Sequence, residues 1–584
     1  VLRTGSMNQF DFSASGGNDK TKFFASASNT DQEGILLGNR FKRLSGRVNI
    51  DHQASDKLTL GMNFSLSRSL NYRLSDDNAF STPMQIVALS PMTPVIDPRT
   101  NLISGVFNPE TGLPNSNFPI YYNPLIDNEY NTRVTEVFRN FGSAYGSYKL
   151  TDKLTFRTEF AYDLLTQHEE RFFAREASRN SGQPTGQSDD FWTQVFNYNT
   201  NTFLQYTNTF ASVHSLEALA GMSYQESSND FGSSQGIGFP SNSYRKNFSA
   251  ATITAANAQA TKYTFLSYFA RANYKFNNKY LLSLSGRVDG SSRFGNNNRY
   301  GFFPAASVGW VLSEESFMSS IGAIEFFKLR ASYGTVGNAE IGNFDQLGLY
   351  SSIPVAGVPG QRPTQIENPD LTWEQTTQLD VGIDFGLFNN RITGEIDYYS
   401  KKTTDLLLNV NLAGNTGFRT QTQNVGSLEN KGFEVVLNTE NLVGALRWTT
   451  SFNFARNRNK VLNLGGQLLQ GDFLSVAKEG EPLGIFYGPK YAGVDPANGD
   501  ALYFVINPDG TQSTTNDYNS ATYQPIGDPN PDFIGGITNT FSYRGIDFTF
   551  LFQGVFGNQV YNGGGKFMSA NGDFFDNQTR DQLR

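Results

Sequence analysis

The sequence predicts an all-β fold, specifically a large antiparallel transmembrane β-barrel, and three features indicate it. Apolar and polar residues alternate with a period of two in many successive segments, as expected of strands with one apolar and one polar face. Glycine, asparagine and serine separate these segments, and residues that favour helices are scarce. The connections between segments are short and long in alternation, which is the asymmetry of membrane barrels with tight turns at one end and long loops at the other.

The stretch from residue 261 to 334 shows the alternation best. One segment within it, Tyr280–Gly290, follows its predecessor after a turn at residues 277–279 and carries apolar and charged residues on opposite faces. We expect the apolar face to contact lipid, because an arginine on the lipid face at mid-depth costs about 2–4 kcal/mol. The two sets are Leu282, Leu284 and Val288 towards lipid, and Arg287 and Asp289 towards the lumen.

The same pattern begins near the start of the chain and predicts about eighteen strands. Neighbouring strands are joined in pairs by tight turns, many of them rich in residues that accept a positive φ. A β-sandwich or a propeller would not require short and long connections to alternate, so a barrel is the better interpretation. The predicted tight turns lie at residues 17–19, 53–57, 151–153, 212–213, 277–279, 389–390 and 544–545.

The long connections all fall at the other end of the predicted strands. They are longer than strand connection requires, and the first is rich in proline. We therefore expect extracellular loops, with the first and the last of them meeting a partner. Their predicted bounds are about 67–136, 164–193, 227–262, 335–376, 401–431 and 457–532.

Composition narrows the possible functions. The chain has 584 residues, and no Pro/Ser-rich linker or run of like charge divides it, so one architecture over residues 1–584 is the simpler prediction. The net charge of -8 and the absence of basic blocks argue against nucleic-acid binding. With no cysteine there is no disulfide, thiol nucleophile or thiolate metal site. A mean hydropathy of -0.41 is compatible with a membrane barrel, because polar lumen residues dilute the apolar ones.

Short motifs with catalytic or metal-binding potential are weak. The string Gly232–Gly236 matches G-x-S-x-G, but it lacks the apolar strand and the helix that a nucleophile elbow requires, and we interpret it as a flexible loop. The three histidines are scattered, and the oxygen-rich segment Asp495–Asp500 lacks the spacing of a calcium loop, so a plain turn is expected there. The sequence predicts no enzyme, catalytic residue, metal site or cofactor.

Aromatic residues in the first two long loops are the candidate ligand contacts. Flat rings stack on the apolar faces of sugars and pack against peptide side chains. The alternative is that these rings belong to the interfacial aromatic belt or hold their own loops in place. The candidates are Phe118, Tyr121 and Tyr122 in the first loop, and Phe191 and Trp192 at the end of the second.

Four long strings in order along the chain resemble a known family. They are GRVDGSSRFGNNNRYGFFPAASVGWVLSEESFM, NPDLTWEQTTQLDVGIDFGLFNNRITGEIDYYSKKTTDLL, NVGSLENKGFEVVLNTE and GDPNPDFIGGITNTFSYRGIDFTFLFQG. These strings are similar to the SusC/RagA family of TonB-dependent outer-membrane transporters, and the resemblance extends over essentially the whole chain. It implies a barrel of about 22 strands with an N-terminal plug inside it.

The same resemblance implies a function and partners. It suggests active import of an oligosaccharide or peptide across the outer membrane of a Gram-negative bacterium, driven by the TonB complex, with a SusD-like surface lipoprotein over the external mouth. A passive porin and a structural or assembly barrel of the envelope are the alternatives. We also expect the plug, one strand and the TonB-contacting region to precede Val1, and three final strands to follow Arg584.

Overall fold

The computed structural model describes residues 2–73, 94–98, 101–108, 113–114, 123, 125–177, 185–244, 252–563 and 580. Within these residues eighteen long strands belong to one sheet, which confirms the predicted all-β fold and the expected number of strands. The strands are β1 Ser6–Gly17, β2 Thr21–Glu33, β3 Arg40–Gln53, β4 Leu58–Tyr72, β5 Thr132–Lys149, β6 Leu154–Phe173, β7 Gln187–Phe210, β8 His214–Ile237, β9 Thr252–Phe276, β10 Tyr280–Ser291, β11 Tyr300–Val311, β12 Ile324–Asn338, β13 Glu374–Leu387, β14 Ile392–Thr404, β15 Ser427–Leu442, β16 Leu446–Asn463, β17 Phe533–Tyr543 and β18 Ile546–Phe556.

Shorter elements lie in the connections. The helix α1 is Leu125–Tyr130, and brief 3-10 turns occur at Arg175–Ala177, Asn242–Tyr244, Leu312–Glu314, Gly414–Thr416 and Tyr518–Ser520. No helix in the described part of the chain is long and apolar enough to cross a membrane. The short strands are Phe107–Asn108, Leu113–Pro114, Leu349–Val355, Val358–Gln365, Leu407–Asn411, Thr420–Asn424, Leu469–Gln470, Ser475–Ala477, Ile485–Pro489, Tyr491–Val494, Ala501–Ile506, Gln512–Thr515 and Tyr523–Gly527.

The described residues group into two compact units. The first comprises those within 1–203, 223–265 and 562–584, and the second those within 204–222 and 266–561. In the first unit β1 to β6 pair in chain order, each antiparallel to the next. In the second unit β10 to β18 do the same. Consecutive antiparallel pairing is the arrangement that tight turns and loops between sequential strands permit.

The alternation predicted for β10 is present, and the contact of its apolar face with lipid stays a prediction. The side chains of Leu282 and Leu284 are exposed on one face, while Arg287 Nε donates to Asp289 Oδ1 at 2.5 Å on the other. Exposed leucines on a continuous sheet face are what a lipid-contacting surface requires. The tight turns also form as expected, with φ of 49° at Arg544 and 81° at Gly545, the left-handed pair of a type I′ hairpin.

Several strands extend beyond their predicted ends. β6 continues to Phe173 and β7 begins at Gln187, so residues predicted as the loop 164–193 are mostly strand. The G-x-S-x-G string predicted as a flexible loop lies inside β8, and that interpretation was wrong. The reason is the same in both places: outside the apolar band both faces are polar, so alternation disappears while backbone pairing continues. The six long connections that correspond to the predicted loops are 73–131, 174–186, 238–251, 339–373, 405–426 and 464–532.

At three places on the polar face, a side chain passes over a glycine of the neighbouring strand. It then contacts a residue of the strand beyond that neighbour. Opposite Arg330 in β12 lies Gly382 in β13, and opposite Gly382 lies Asp397 in β14. Because glycine has no Cβ, Arg330 passes over Gly382 and donates to Asp397 at 2.7 Å. The same arrangement places Tyr145 over Gly61 with its hydroxyl 2.6 Å from Asp51, and Tyr399 over Gly432 with its hydroxyl 2.9 Å from Asn457.

Candidate ligand-facing surface

The polar face of the second unit carries a charge network centred on Arg330. Its guanidinium donates to Asp384 Oδ1 at 2.8 Å and to Asp397 Oδ2 at 2.7 Å, and it lies 3.4 Å from Asp380. Lys328 donates to the second oxygen of Asp384 at 2.9 Å. Five charged side chains on three strands therefore form one connected network. The planar guanidinium of Arg330 can hold it together, because its several N–H donors point in fixed directions.

A cavity of about 360 Å³ with a mixed polar and apolar lining adjoins this network in the same unit. Its wall carries both signs of charge together with uncharged hydrogen-bonding groups. Such a lining offers donors and acceptors to a polar solute or to a polar protein surface, and it gives little preference to either sign of charge. The polar and charged residues that line it include Glu217, Asn273, Lys275, Ser283, Lys328 and Asp380, beside Arg330.

Phe191 and Trp192, predicted together as ligand contacts, lie on opposite faces of β7. The ring of Phe191 lies under the Arg171 guanidinium, 4.8 Å from its centroid, on the polar face. Arg171 in turn pairs with the buried carboxylate of Glu169 at 2.5 Å, and Arg73 lies 2.9 Å from that carboxylate. Phe191 therefore borders a charged cluster at the polar face.

Trp192 occupies a different environment. Its ring stacks on His168 with centroids 4.2 Å apart, and His168 Nε2 lies 2.6 Å from Asp190. In β7 it shares the face of Phe196 and Tyr198, whose rings adjoin those of the apolar face of β6. More than half of the Trp192 side chain is exposed. This placement matches the interfacial belt that was the alternative for these aromatic residues.

The other three predicted contacts, Phe118, Tyr121 and Tyr122, lie outside the described residues. The structure instead presents exposed aromatic residues in the connection 464–532, which sequence reasoning did not single out. Tyr503 packs edge-on against Tyr518 at 5.2 Å, and Lys478 lies 5.0 Å from the ring centroid of Tyr487. The tyrosine content of that connection is the sequence feature that could have identified these residues. Exposed members of this group are Phe473, Tyr491, Tyr518 and Tyr523.

Two of the four strings that carry the family resemblance meet in a buried aromatic core. The ring centroids of Phe294 and Phe303 lie 4.9 and 5.3 Å from that of Trp373, and Leu371 is fully buried nearby. Trp373 also donates its indole N–H to the Arg299 carbonyl at 3.1 Å. These residues hold two connections against the strand ends, so their role is structural.

The histidines and the oxygen-rich turn lie apart from one another. His52 lies beside Thr21 at 2.8 Å, and His214 lies beside Tyr274 at 2.6 Å. Between Asp495 and Asp500 the backbone forms a turn with φ of 83° at Gly499, as predicted. No group of three or more histidine, aspartate and glutamate side chains able to hold a metal occurs among the residues that the structure describes.

Comparison with known proteins agrees with this fold. Residues 93–479 match the model of the family described as TonB dependent receptor-like, beta-barrel. TonB-dependent receptor P26 of Formosa agariphila is 33% identical over 94% of this chain and 57% of its own length. TonB-dependent receptor SusC of Bacteroides thetaiotaomicron is 28% identical over 96% of this chain and 58% of its own length. The chain thus spans a little under three fifths of these curated relatives.

Solved structures show the same architecture. The structure of the RagAB peptide transporter superposes with a TM-score of 0.88 at 24% identity, covering 99% of this chain and 65% of that one. The RagAB peptide importer in its 'closed-closed' state gives a TM-score of 0.86 at 25% identity, covering 100% of this chain and 66% of the other. The chain belongs to the TonB-dependent receptor-like β-barrel family of Gram-negative outer membranes, and within it to the SusC/RagA type.

Proposed function

We propose that this chain forms the membrane wall of an importer that takes up an oligosaccharide or a peptide with energy supplied through the TonB complex. The observation that carries the proposal is the difference between the two ends of the sheet. At one end the connections 339–373, 405–426 and 464–532 contain strands of their own, whereas turns such as 277–279 and 544–545 close the other end. Long external loops occur in outer-membrane barrels generally, and loops that fold into sheets of their own provide a surface on which a large solute can be captured.

The relatives support the same proposal. One is named SusC, and the closely superposing structures are described as a peptide transporter and a peptide importer. Those structures bear the two-component name RagAB, and we propose a SusD-like surface lipoprotein as the corresponding partner of this chain. The partner would dock on the long connections, where exposed rings in residues 464–532 offer contact area that does not depend on charge.

We assign the ligand-contacting role to Phe191 and retain Trp192, Phe118, Tyr121 and Tyr122 as candidates of lower rank. Phe191 lies on the polar face beside Arg171, which would place a flat apolar ring and a cation next to the solute. Sugars and peptides both suit such a pair, because the ring covers apolar C–H groups while the guanidinium donates hydrogen bonds. Trp192 lies on the opposite face, which favours contact with the lipid boundary.

Growth and uptake experiments distinguish the proposal from its alternatives. Deleting the gene for this protein, and separately that of the SusD-like lipoprotein proposed as its partner, should abolish growth on one class of polymer, either an oligosaccharide or a peptide mixture. Uptake of small solutes such as single sugars should be unchanged. A passive porin would instead lose small-solute permeability, and a structural or assembly barrel would alter envelope integrity on every carbon source.

A further inference from the structure

The connection between β11 and β12, residues 312–323, departs from the tight turns at its end of the sheet. Within the described residues, the other connections at that end are turns such as 277–279 and 443–445. Residues 312–323 are nevertheless folded, because backbone N–H groups donate three residues back in succession. Glu315 donates to Leu312 at 2.9 Å, Met318 to Glu315 at 3.0 Å, and Ile321 to Met318 at 2.9 Å. Within this segment only Leu312–Glu314 is a 3-10 turn, and Glu315 is extended with φ of -81° and ψ of 143°, so the segment is a series of separate turns.

Glu315 fastens this folded segment to the apolar face of the sheet. Its carboxylate accepts hydrogen bonds from the Tyr280 hydroxyl at 2.7 Å, the Trp310 indole at 3.1 Å and Lys279 Nζ at 3.4 Å. The bonds from Tyr280, then Trp310, and the charge of Lys279 hold the pKa of Glu315 below its ordinary value, so the carboxylate stays ionised at neutral pH. Tyr280 lies on the same face of β10 as Leu282. Glu315 therefore joins the segment to the face of the sheet that we predict to contact lipid.

A row of aromatic rings marks this level of the sheet. Tyr280 stacks on Trp310 at 6.3 Å and on Phe276 at 6.1 Å, and Phe276 stacks on His214 at 4.9 Å. Three of these four rings carry a polar edge, and such rings in a row across neighbouring strands are typical of the boundary between hydrocarbon and water. The segment 312–323 begins where this row ends.

Two large apolar side chains of the segment remain uncovered. Phe317 is 59% exposed and Ile321 is 43% exposed, while Ser319 and Ser320 between them are polar. The segment that carries this apolar pair is joined through Glu315 to the face that we predict to contact lipid, and the same lipid is the covering that this continuity favours. The transfer of such side chains out of water is favourable, because it removes apolar surface from contact with solvent.

We propose that residues 312–323 are an interfacial anchor, which inserts Phe317 and Ile321 into the headgroup boundary of the phospholipid leaflet at the short-turn end of the sheet. Glu315 sets the angle of the segment by binding the aromatic row above it. The anchor fixes the depth and tilt of β11 and β12 in the membrane. The anchor does not depend on which solute is transported. An experiment that contradicts the anchor therefore leaves the proposed function unaffected.

Site-directed spin labelling tests the anchor, and a chain without cysteine suits this method. The full-length protein would carry a nitroxide at Phe317→Cys or Ile321→Cys and would be reconstituted into vesicles of phosphatidylethanolamine and phosphatidylglycerol. Ser320→Cys on the same segment and Asn278→Cys on a neighbouring tight turn are the matched controls. We expect the ratio of oxygen collisions to nickel-chelate collisions at 317 and 321 to be several-fold above that at 320 and 278.

Two outcomes would overturn the proposal. Equal, water-like collision ratios at all four positions would show that the segment stands in solvent. Exclusion of both reagents at 317 and 321 would show that protein, rather than lipid, covers them. Folding of each variant is checked by the heat-dependent shift in gel mobility. If only one of the two variants labelled at 317 and 321 folds, the collision ratio at that position still shows whether lipid, solvent or protein covers the segment.

Discussion

Replacing Gly382 by alanine should break the charge network on the polar face. A Cβ at this position would overlap Asp397 Oδ1 and lie 2.6 Å from Arg330 Cζ, so the guanidinium could no longer pass over β13. The bond from Arg330 to Asp397 at 2.7 Å would be lost, while the bond to Asp384 at 2.8 Å could survive. A hydrogen bond between charged groups contributes about 1.5–3 kcal/mol, and the lower end applies because Arg330 keeps part of its solvent contact.

The measurement is the free energy of unfolding of the full-length protein in lipid vesicles, from urea titrations followed by tryptophan fluorescence. Gly146→Ala is the control, because its added Cβ would meet only Leu60 Cδ2, at 3.7 Å. We expect Gly382→Ala to lower the stability by about 1.5–2 kcal/mol and the control to leave it unchanged or slightly raised.

A double-mutant cycle with Arg330→Gln identifies the cause. If the cost of Gly382→Ala arises from the displaced guanidinium, that cost should largely disappear once Arg330 is absent. The same loss in both backgrounds would refute the reasoning, and so would a Gly382→Ala protein of wild-type stability.

Three further predictions address other parts of the molecule. Tyr145→Phe removes the hydroxyl that reaches Asp51 across Gly61 and should cost about 1.5–3 kcal/mol of unfolding free energy, whereas Tyr148→Phe on the opposite face should cost nothing measurable. Phe191→Ala should weaken binding of the transported ligand tenfold to a hundredfold, corresponding to about 1–3 kcal/mol, while Trp192→Ala leaves calorimetric affinity per folded molecule unchanged; the reverse result would restore Trp192 as the contact. The backbone amides of Leu464 and Gly466 lower the pKa of Glu479 below its ordinary value of 4.5. The ionised carboxylate therefore stabilises the connection 464–532 fully above pH 4.5. This stabilisation is lost as the pH falls through the lowered pKa of the folded protein. Glu479→Gln should therefore raise proteolysis of that connection at pH 7 and remove most of its additional sensitivity to acid, and an unchanged pH profile would contradict the assignment.

Sequence reasoning succeeded where one face of a strand is apolar. For β10 the predicted segment Tyr280–Gly290 differs from the observed strand, Tyr280–Ser291, by one residue at one end. It failed at the outer ends of β6 and β7, where His168, Glu169 and Arg171 gave no alternation. In those stretches the backbone pairs with its neighbour although neither face is apolar, and no periodicity of side chains reports that pairing.

The candidate site was predictable only in part. Phe191 and Trp192 were identified by residue type, but their opposite faces followed from the strand that contains them, which the sequence had assigned to a loop. The Arg330 network depends on which residues of three strands lie opposite one another, and that register is set by the tight turns and by the pairing itself. Gly382 has no distinctive sequence context, and its role became evident only from the side chains that cross it.

The most direct test of energy-coupled import is the uptake of a labelled ligand by intact cells in which the TonB complex can be switched off. The ligand would first be identified by mass spectrometry of material that co-purifies with the native protein. We predict that loss of TonB, or collapse of the proton gradient by an ionophore, abolishes accumulation while leaving binding at the cell surface intact. Accumulation that continues at the same rate without TonB and without the gradient would contradict active import and identify the chain as the wall of a passive pore.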